Sequence, residues 1–461
     1  MEKPLAHEGG PGRPDLLIVA PSDPSRSRKL AARMVDLGVF FPFELPYRLP
    51  ERLPADLSGF RFIVIPADKA AADRARLEAF ARQGGGVLRM EDADWESESL
   101  IERIPTQGGL RLGSAAMAAR MEAAPDQRVL DATLRWSMAY ERPEWHDVLR
   151  YNIECLAEAF ELTGDRAILD QAGRLAHKAL ATGAPPPASC DHVACTYAML
   201  HYMALAQEPT LLGVCRSVVD DYLRLAPRYR GVLSNFLRRD SNGIARAEIA
   251  FQACPALARL ARHTKEQRYA DTAVEQILLL DGELSDAATG LWFLGRGAGG
   301  RTPLLWGRGC AFSLRGVVDT LAELDAARAD RAGLLAILKR MADALRKLQG
   351  PDGDWRQIMN EPQSRPESSA TAWTVAALAK ASRLGWLGPE FRPCIEQGWR
   401  AVKRRVWDGL ATRICGGVTA SMDPEYYRSR PFLAPSYGHF ALLAAIEVAR
   451  LSQRPAAPSA P

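Results

Sequence analysis

Six short stretches carry residues with the chemistry to handle a sugar. They are Trp145, His146, Asp147 and Tyr151; Asp191 and His192; Arg246 and Glu248; Trp306 and Arg308; Glu367, Ser368 and Ser369; and Tyr437 and His439. Trp and Tyr offer flat apolar faces to a sugar ring. Arg grips a carboxylate through a bidentate fork. A carboxyl group shielded from water supplies a general acid. Any one member also has a plainer reading, because Asp, Glu and Ser at a helix start are commonly caps. The seven histidines form no metal pattern, and H-E-x-x-H is absent. No metal or cofactor is expected.

These stretches need a scaffold that gathers them. From about residue 113 onward, helical spacing repeats in pairs. The more apolar helices begin near Trp145, Asp191, Arg246, Trp306, Glu367 and Tyr437. A more amphipathic helix follows each of the first five, over residues 167–182, 209–225, 267–280, 331–348 and 389–405. Residues 125–140 supply a sixth. Apolar-to-amphipathic connections are brief, as at Thr163-Gly164-Asp165, Gln207-Glu208 and Thr264-Lys265-Glu266. Return connections are long: 226–245, 281–305, 349–366 and 406–433. Six parallel inner helices wrapped by an outer ring produce this asymmetry, the inner ones being covered on most sides. The long loops then collect where the inner helices start, which is where sites are built.

Before residue 113 the pattern differs. Apolar strands over 15–21 (DLLIVAP), 60–66 (FRFIVIP) and 87–90 (VLRM) alternate with helical spacing over 27–38 and 71–83. That argues a small parallel α/β sheet. The expected organisation is a frayed start, 1–14; an α/β domain, 15–112; a helical domain, 113–452; and a frayed tail, 453–461.

Composition removes several classes. With 47% apolar and 25% charged residues, the 461-residue chain can bury a sizeable core. Its 59 basic and 55 acidic residues are too balanced for a nucleic-acid partner. No segment has the ~18 continuous apolar residues of a membrane span, and residues 1–14 lack the apolar core of a signal peptide. None of the eight cysteines forms a C-x-x-C pair. They read as free buried thiols in a reducing, cytoplasmic compartment. Residues 295–300 (GRGAGG) satisfy G-x-G-x-x-G, but Arg301-Thr302-Pro303 follows where a helix is needed. A flexible loop at the mouth is expected there. Asp220-Asp221 reads as a solvated face, and Lys403-Arg404-Arg405 as the cationic end of an outer helix.

Trp306-Gly307-Arg308-Gly309 is similar to a W-A-R-G-N-G-W motif. Asp352-Gly353-Asp354-Trp355 followed by Glu367-Ser368-Ser369-Ala370-Thr371-Ala372 is similar to D-G-x-W…E-x-S-A-T-A. The run from Ala247-Glu248-Ile249-Ala250-Phe251 to Pro255 lies where an Asp-Thr-x-Phe-Met…Pro helix stands, and Gly416-Gly417-Val418 also fits. On these motifs residues 140–452 resemble the unsaturated glycuronyl hydrolases, in particular the unsaturated rhamnogalacturonyl hydrolases of glycoside hydrolase family 105 and their family 88 relatives. The resemblance implies a mainly α fold, an (α/α)6 toroid of the six-hairpin glycosidase type. It implies an oligosaccharide substrate and hydration of the C4=C5 double bond of a terminal unsaturated uronic acid. A carboxyl protonates C4, water adds at C5, and the hemiketal opens to release the neighbouring sugar.

Carried onto this chain, the resemblance makes Glu248, standing where the family has Asp, the proton donor, with Asp191 as the second catalytic carboxylate. The apolar run Ile249-Ala250-Phe251 and the charge of Asp191 are expected to raise the Glu248 pKa. The expected substrate contacts are Trp145, His146, Tyr151, His192, Trp306, Arg308, Arg356, Glu367, Ser369 and His439. Leu294 and Arg356 stand where the family has His, and Cys310-Ala311-Phe312 replaces N-G-W. Two other classes stay open: a sugar epimerase on the same toroid, using groups such as His146, His192 and His439, and an inactive sugar-binding or regulatory protein. The N-terminal segment, ending in Arg82-Gln83-Gly84-Gly85-Gly86-Val87-Leu88, resembles glutamine-amidotransferase-like domains. Without a nucleophilic Cys it reads as an accessory domain, a surface for forming a homo-oligomer.

Overall fold

The computed structural model describes residues 16–19, 52–57, 62–83, 86–91, 121–140, 145–183, 189–235, 244–407, 410–411, 413–430 and 439–453. The chain divides into two compact units. One comprises Met1–Ala139, Lys403–Gly416 and Pro431–Gly438; the other comprises Tyr140–Val402, Gly417–Arg430 and His439–Pro461.

In the first unit β1 (Leu16–Ile18), β2 (Phe62–Pro66) and β3 (Gly86–Met90) form a parallel sheet in the order β1-β2-β3. Helices α1 (Ala67–Ala72) and α2 (Arg74–Arg82) connect β2 to β3. Ile63 and Ile65 of β2 pack with Val19, Leu53, Ala70, Leu77 and Phe80 as a core. The expected helix over 27–38 lies outside the described residues. The helix expected over 71–83 begins earlier and breaks at Asp73. The unit also holds α3 (Asp126–Ala139), whose Asp126 accepts a hydrogen bond from the buried Lys403 at 2.9 Å.

The second unit is a closed ring of inner helices. They are α4 (Asp147–Thr163), α6 (Cys190–Ala206), α8 (Glu248–Gln252) continued by α9 (Cys254–Thr264), α11 (Gly307–Glu323), α13 (Ser368–Arg383) and α16 (His439–Gln453). Each packs against the next, and α16 closes onto α4. Between them in sequence run α5 (Arg166–Ala181), α7 (Leu211–Leu225), α10 (Gln267–Leu284), α12 (Arg331–Leu348) and α14 (Arg392–Arg405). The first four of these pack on the inner helix that precedes them. A helix does form over the residues expected to supply the sixth partner, α3, and it belongs to the first unit. The short connections end inner helices on left-handed residues, Gly164, Gln207 and Lys265. The third inner helix, expected as one piece, breaks at Ala253 because Pro255 begins a new helical turn without an N–H to donate.

The mouth segment 295–300 is a correction to the expectation of a flexible loop. β7 (Gly295–Gly297) and β8 (Gly300–Arg301) form a hairpin beside β6 (Ala245–Arg246). Its order comes from pairing with a strand distant in sequence, with Arg246 opposite Gly295. Small strands β4 (Arg228–Tyr229) and β5 (Val232–Leu233) form a second hairpin within one long return connection. Asp220 is likewise less free than expected, accepting from the Tyr269 hydroxyl at 2.8 Å and pairing with Arg268.

The ring axis is filled in layers. Tyr151, Phe251, Phe312, Trp373 and Phe440, from five inner helices, interlock with ring centroids 4.4 to 6.3 Å apart. The Arg150 guanidinium lies 3.6 Å from the Phe251 ring centroid, next to a buried circuit with Glu154, Arg315, Asp319 and Lys380. Close approach of α11 to α8 needs Gly316, where an added Cβ would lie 2.2 Å from the Ala250 carbonyl oxygen. Gly to Ala inside a helix ordinarily gains about 1 kcal/mol. Here the sign should reverse: Gly316→Ala is expected to cost about 1–3 kcal/mol through overpacking. Urea unfolding checks it, and a stabilised variant would show that the two helices are free to separate.

Candidate active site

The two candidate carboxylates belong to one polar cluster at the starts of α6 and α8. Asp191 lies in the first turn of α6, after the N-cap Ser189, whose side chain accepts from the Asp191 backbone N–H. The Ser189 hydroxyl donates to Asp191 Oδ2 at 3.0 Å. Gln252 Nε2 donates to Asp191 Oδ1, and the Cys190 thiol donates to Gln252 Oε1. Gln252 is four residues after Glu248, so the two share one face of α8. That spacing joins α8 to Asp191 and sets both carboxylates at the same end of the ring.

Glu248 itself is gripped by Arg246. The guanidinium donates from Nη2 to Oε1 at 2.5 Å and from Nε to Oε2 at 3.2 Å. Both side chains are over nine-tenths buried. Burial works to lower the Arg246 pKa, but the charge and hydrogen bonds of Glu248 outweigh it and hold Arg246 above the ordinary arginine range. The carboxylate expected to be the proton donor is therefore one half of a buried ion pair. Arg246 is set by β6, and its Nη2 also lies 3.5 Å from the Val418 carbonyl. The Ala247 N–H donates to the Leu294 carbonyl at 2.9 Å. The Leu294 side chain packs with Leu304, Trp306, Ile358 and Tyr427. An apolar residue thus fills a cluster that links the Glu248 turn to the Trp306 turn.

At the starts of α11 and α13, Arg308 donates to the Ser369 hydroxyl at 3.1 Å and lies over the Trp306 ring at 4.3 Å. The Ser369 hydroxyl lies 2.9 and 2.7 Å from the two Glu367 oxygens. Glu367 is the N-cap of α13, accepting from the Ser369 and Ala370 backbone N–H groups. Gly307 allows this approach, since a Cβ there would lie 2.0 Å from the Arg356 carbonyl oxygen. Arg308 and Glu367 are fully packed, so this part of the constellation fixes the wall of the mouth. Lys cannot reproduce the fork or the ring contact. Arg308→Lys is expected to lower kcat/KM and to cost roughly 1.5–3 kcal/mol of stability, the range for a charged hydrogen bond. Unchanged kinetics with lost stability, measured on the same preparation, would assign Arg308 to the wall alone.

The remaining candidates divide by surface. His146 is exposed at the N-cap of α4, and His192 and Arg356 are half-buried. Trp145 is buried, its indole N–H donating to the Ala179 carbonyl at 3.0 Å. Tyr151 is fully enclosed in the aromatic layer and has no face for a ligand. His439 is also fully buried, 4.9 Å edge-on to Tyr140, and burial pushes its pKa down to about 3. Burial thus favours its neutral form. Tyr437 lies outside the described residues. Gln252 was missed by sequence reasoning, although its i+4 spacing from Glu248 was a usable signal. Among the described residues no group of three or more His, Cys, Asp or Glu side chains is placed to hold a metal ion, and no helix is long and apolar enough to cross a membrane.

The family model Glycosyl Hydrolase Family 88 matches residues 114–452. An unsaturated rhamnogalacturonyl hydrolase, YesR of Bacillus subtilis (strain 168), is 21% identical over 313 residues, covering 66% of this chain and 88% of that protein. An unsaturated 3S-rhamnoglycuronyl hydrolase of Alteromonas sp. (strain LOR) is 24% identical over 186 residues, 39% of this chain and 45% of that protein. Among solved structures, a possible family 105 member from Salmonella enterica matches with a TM-score of 0.65 at 20% identity, covering 70% of this chain and 93% of that one. The unsaturated glucuronyl hydrolase of Bacillus sp. GL1 matches with a TM-score of 0.54 at 17% identity, covering 70% and 96%. These structural likenesses concern the fold.

Proposed function

The chain belongs to Glycosyl Hydrolase Family 88 and is a glycoside hydrolase, and from that premise we propose that it releases a terminal 4,5-unsaturated uronic acid from lyase-generated oligosaccharides. The observation that carries this reading is the hydrogen bond to Asp191 from Gln252, one helical turn after Glu248, which ties the starts of two inner helices together. In the proposed reaction Glu248 delivers a proton to C4, and Asp191 holds the water that adds at C5 or a sugar hydroxyl. The water sheds its spare proton as it adds, so C5, which also bears the ring oxygen, becomes a hemiketal; this opens to a C5 ketone, and the hemiacetal left at C1 frees the leaving sugar. His146, His192 and Arg356 keep surface for substrate contact, while Trp306, Arg308, Glu367 and Ser369 hold the wall. An epimerase with His439 as one of its proton carriers is disfavoured, because that ring is fully buried and offers no surface to a substrate.

The test is incubation of the purified chain with lyase-generated oligosaccharides while following absorbance of the conjugated double bond. Loss of absorbance with release of the neighbouring sugar supports the reading. Binding without any loss supports a regulatory sugar-binding protein instead. Residues 15–112 are assigned as an accessory α/β domain for self-association. The eight cysteines, all buried, fit a reducing cytoplasmic compartment.

A further inference from the structure

A proton donor must hold a proton, yet Glu248 stands in a buried fork that suits its anion. The proposed substrate brings a carboxylate of its own. That group is attached to C5, next to C4, the carbon that takes the proton. A residue donating to C4 and a residue gripping the carboxylate must therefore be close neighbours. Arg246 and Glu248 are two residues apart and already in contact.

We propose that Arg246 reads the substrate's carboxylate: on binding, that carboxylate takes the guanidinium fork from Glu248, and the released Glu248 takes up from solvent water the proton it then gives to C4. The inference rests on the hydrolase reading above and adds to it a specificity residue and a trigger. Exchanging one carboxylate for another on the same fork conserves the charge-assisted hydrogen bonds. Arg246 is held from elsewhere while its partner changes, by β6 pairing opposite Gly295 and by the Val418 carbonyl. Among the described residues, Asp191 and Cys190 from α6 and Tyr427 from the 417–430 segment lie close enough to act electrostatically on the pair. None of these three is a cation. Once Arg246 is engaged by substrate, the Glu248 carboxyl is left buried without that guanidinium at its oxygens. Arg308 is a poorer reader, because Ser369 and the Trp306 ring already hold it and its nearby carboxylate Glu367 caps α13.

The experiment compares an unsaturated uronyl disaccharide as the free acid and as its uronate methyl ester. The ester keeps the double bond and loses the charge. The full chain is expected to lose on the order of 10²-fold in kcat/KM on the ester, as when one partner of a buried charge pair is removed. Arg246→Lys keeps a positive charge beside Glu248, so the fold is retained, and it should shrink the preference for the acid. Glu248→Gln should bind the acid at least as tightly as the unaltered chain, since the fork no longer has to be vacated by a charge. Equal turnover of acid and ester by the unaltered chain overturns the proposal. So does an undiminished acid preference in Arg246→Lys. A chain inactive on both substrates sinks the hydrolase reading instead. Calorimetric titration of Glu248→Gln with acid and ester then still reads the fork, and equal affinities would reject Arg246 as its reader.

Discussion

Glu248→Gln is expected to leave the ring folded and to lower kcat by roughly 10²–10⁴-fold, the usual contribution of a positioned general acid. Gln keeps the shape and one acceptor for Arg246, but it has no acidic proton to give. The fork loses a charged partner while Arg246 keeps the Val418 carbonyl, so some stability is lost with the activity. Circular dichroism of the variant separates lost turnover from lost fold. Glu248→Asp is a different test. It restores the residue that the family resemblance places there, but it withdraws the carboxyl by about one bond length, and catalysis is steep in position. If that carboxyl no longer spans from Arg246 to the substrate, turnover falls although the acid is present. Activity that survives Glu248→Gln would transfer the donor role to Asp191, which is held by Gln252 and Ser189.

The architecture was legible because two independent patterns agreed. Apolar and amphipathic helices alternate, and short and long connections alternate with them. Gly164 and Asp165 show why: one ends α4 in a left-handed turn and the other caps α5 through the Ala167 N–H. The site was legible as a place and less so as a set of roles. Spacing puts Tyr151 and His439 near inner-helix starts, but it does not say that ring closure would seal both inside. The hairpin at 295–300 was unreadable from its own residues, since its order comes from Ala245 and Arg246 across the fold. Arg246 and Glu248 were both noted as mouth residues. Their pairing was not, because an i,i+2 pair faces opposite sides of a helix. It forms here because Arg246 ends a strand and Glu248 begins a helix.

Asp319→Ala is expected to cost about 3–5 kcal/mol, the penalty for breaking a buried ion pair by removing one partner. Asp319 is fully buried on α11. Its Oδ2 accepts from Arg315 Nε at 2.8 Å and lies 3.7 Å from Arg150 Nη2, while its Oδ1 accepts from Lys380 Nζ at 2.8 Å. Arg150 and Arg315 also share Glu154, at 3.1 and 3.2 Å. Removing Asp319 leaves Arg150, Arg315 and Lys380 buried, with Glu154 pairing the two arginines. Burial works to raise the Asp319 pKa, but Arg315, Lys380 and Arg150 overcome it and hold that pKa below the ordinary Asp value. The sign follows. The stabilisation is present above the unfolded Asp pKa of about 3.9 and is lost as pH falls through the lower folded value. The difference in stability between the unaltered chain and Asp319→Ala should thus be level near neutrality and narrow only in acid. An exposed pair gives the reference: Arg166 and Asp170 lie 3.0 Å apart with both side chains largely in water, and Asp170→Ala should cost at most about 1 kcal/mol. Urea unfolding of both variants at neutral pH decides the matter. Equal losses would mean that the axial circuit is no more than a surface ion pair in its effect, and that the apolar contacts of the inner helices alone hold the ring.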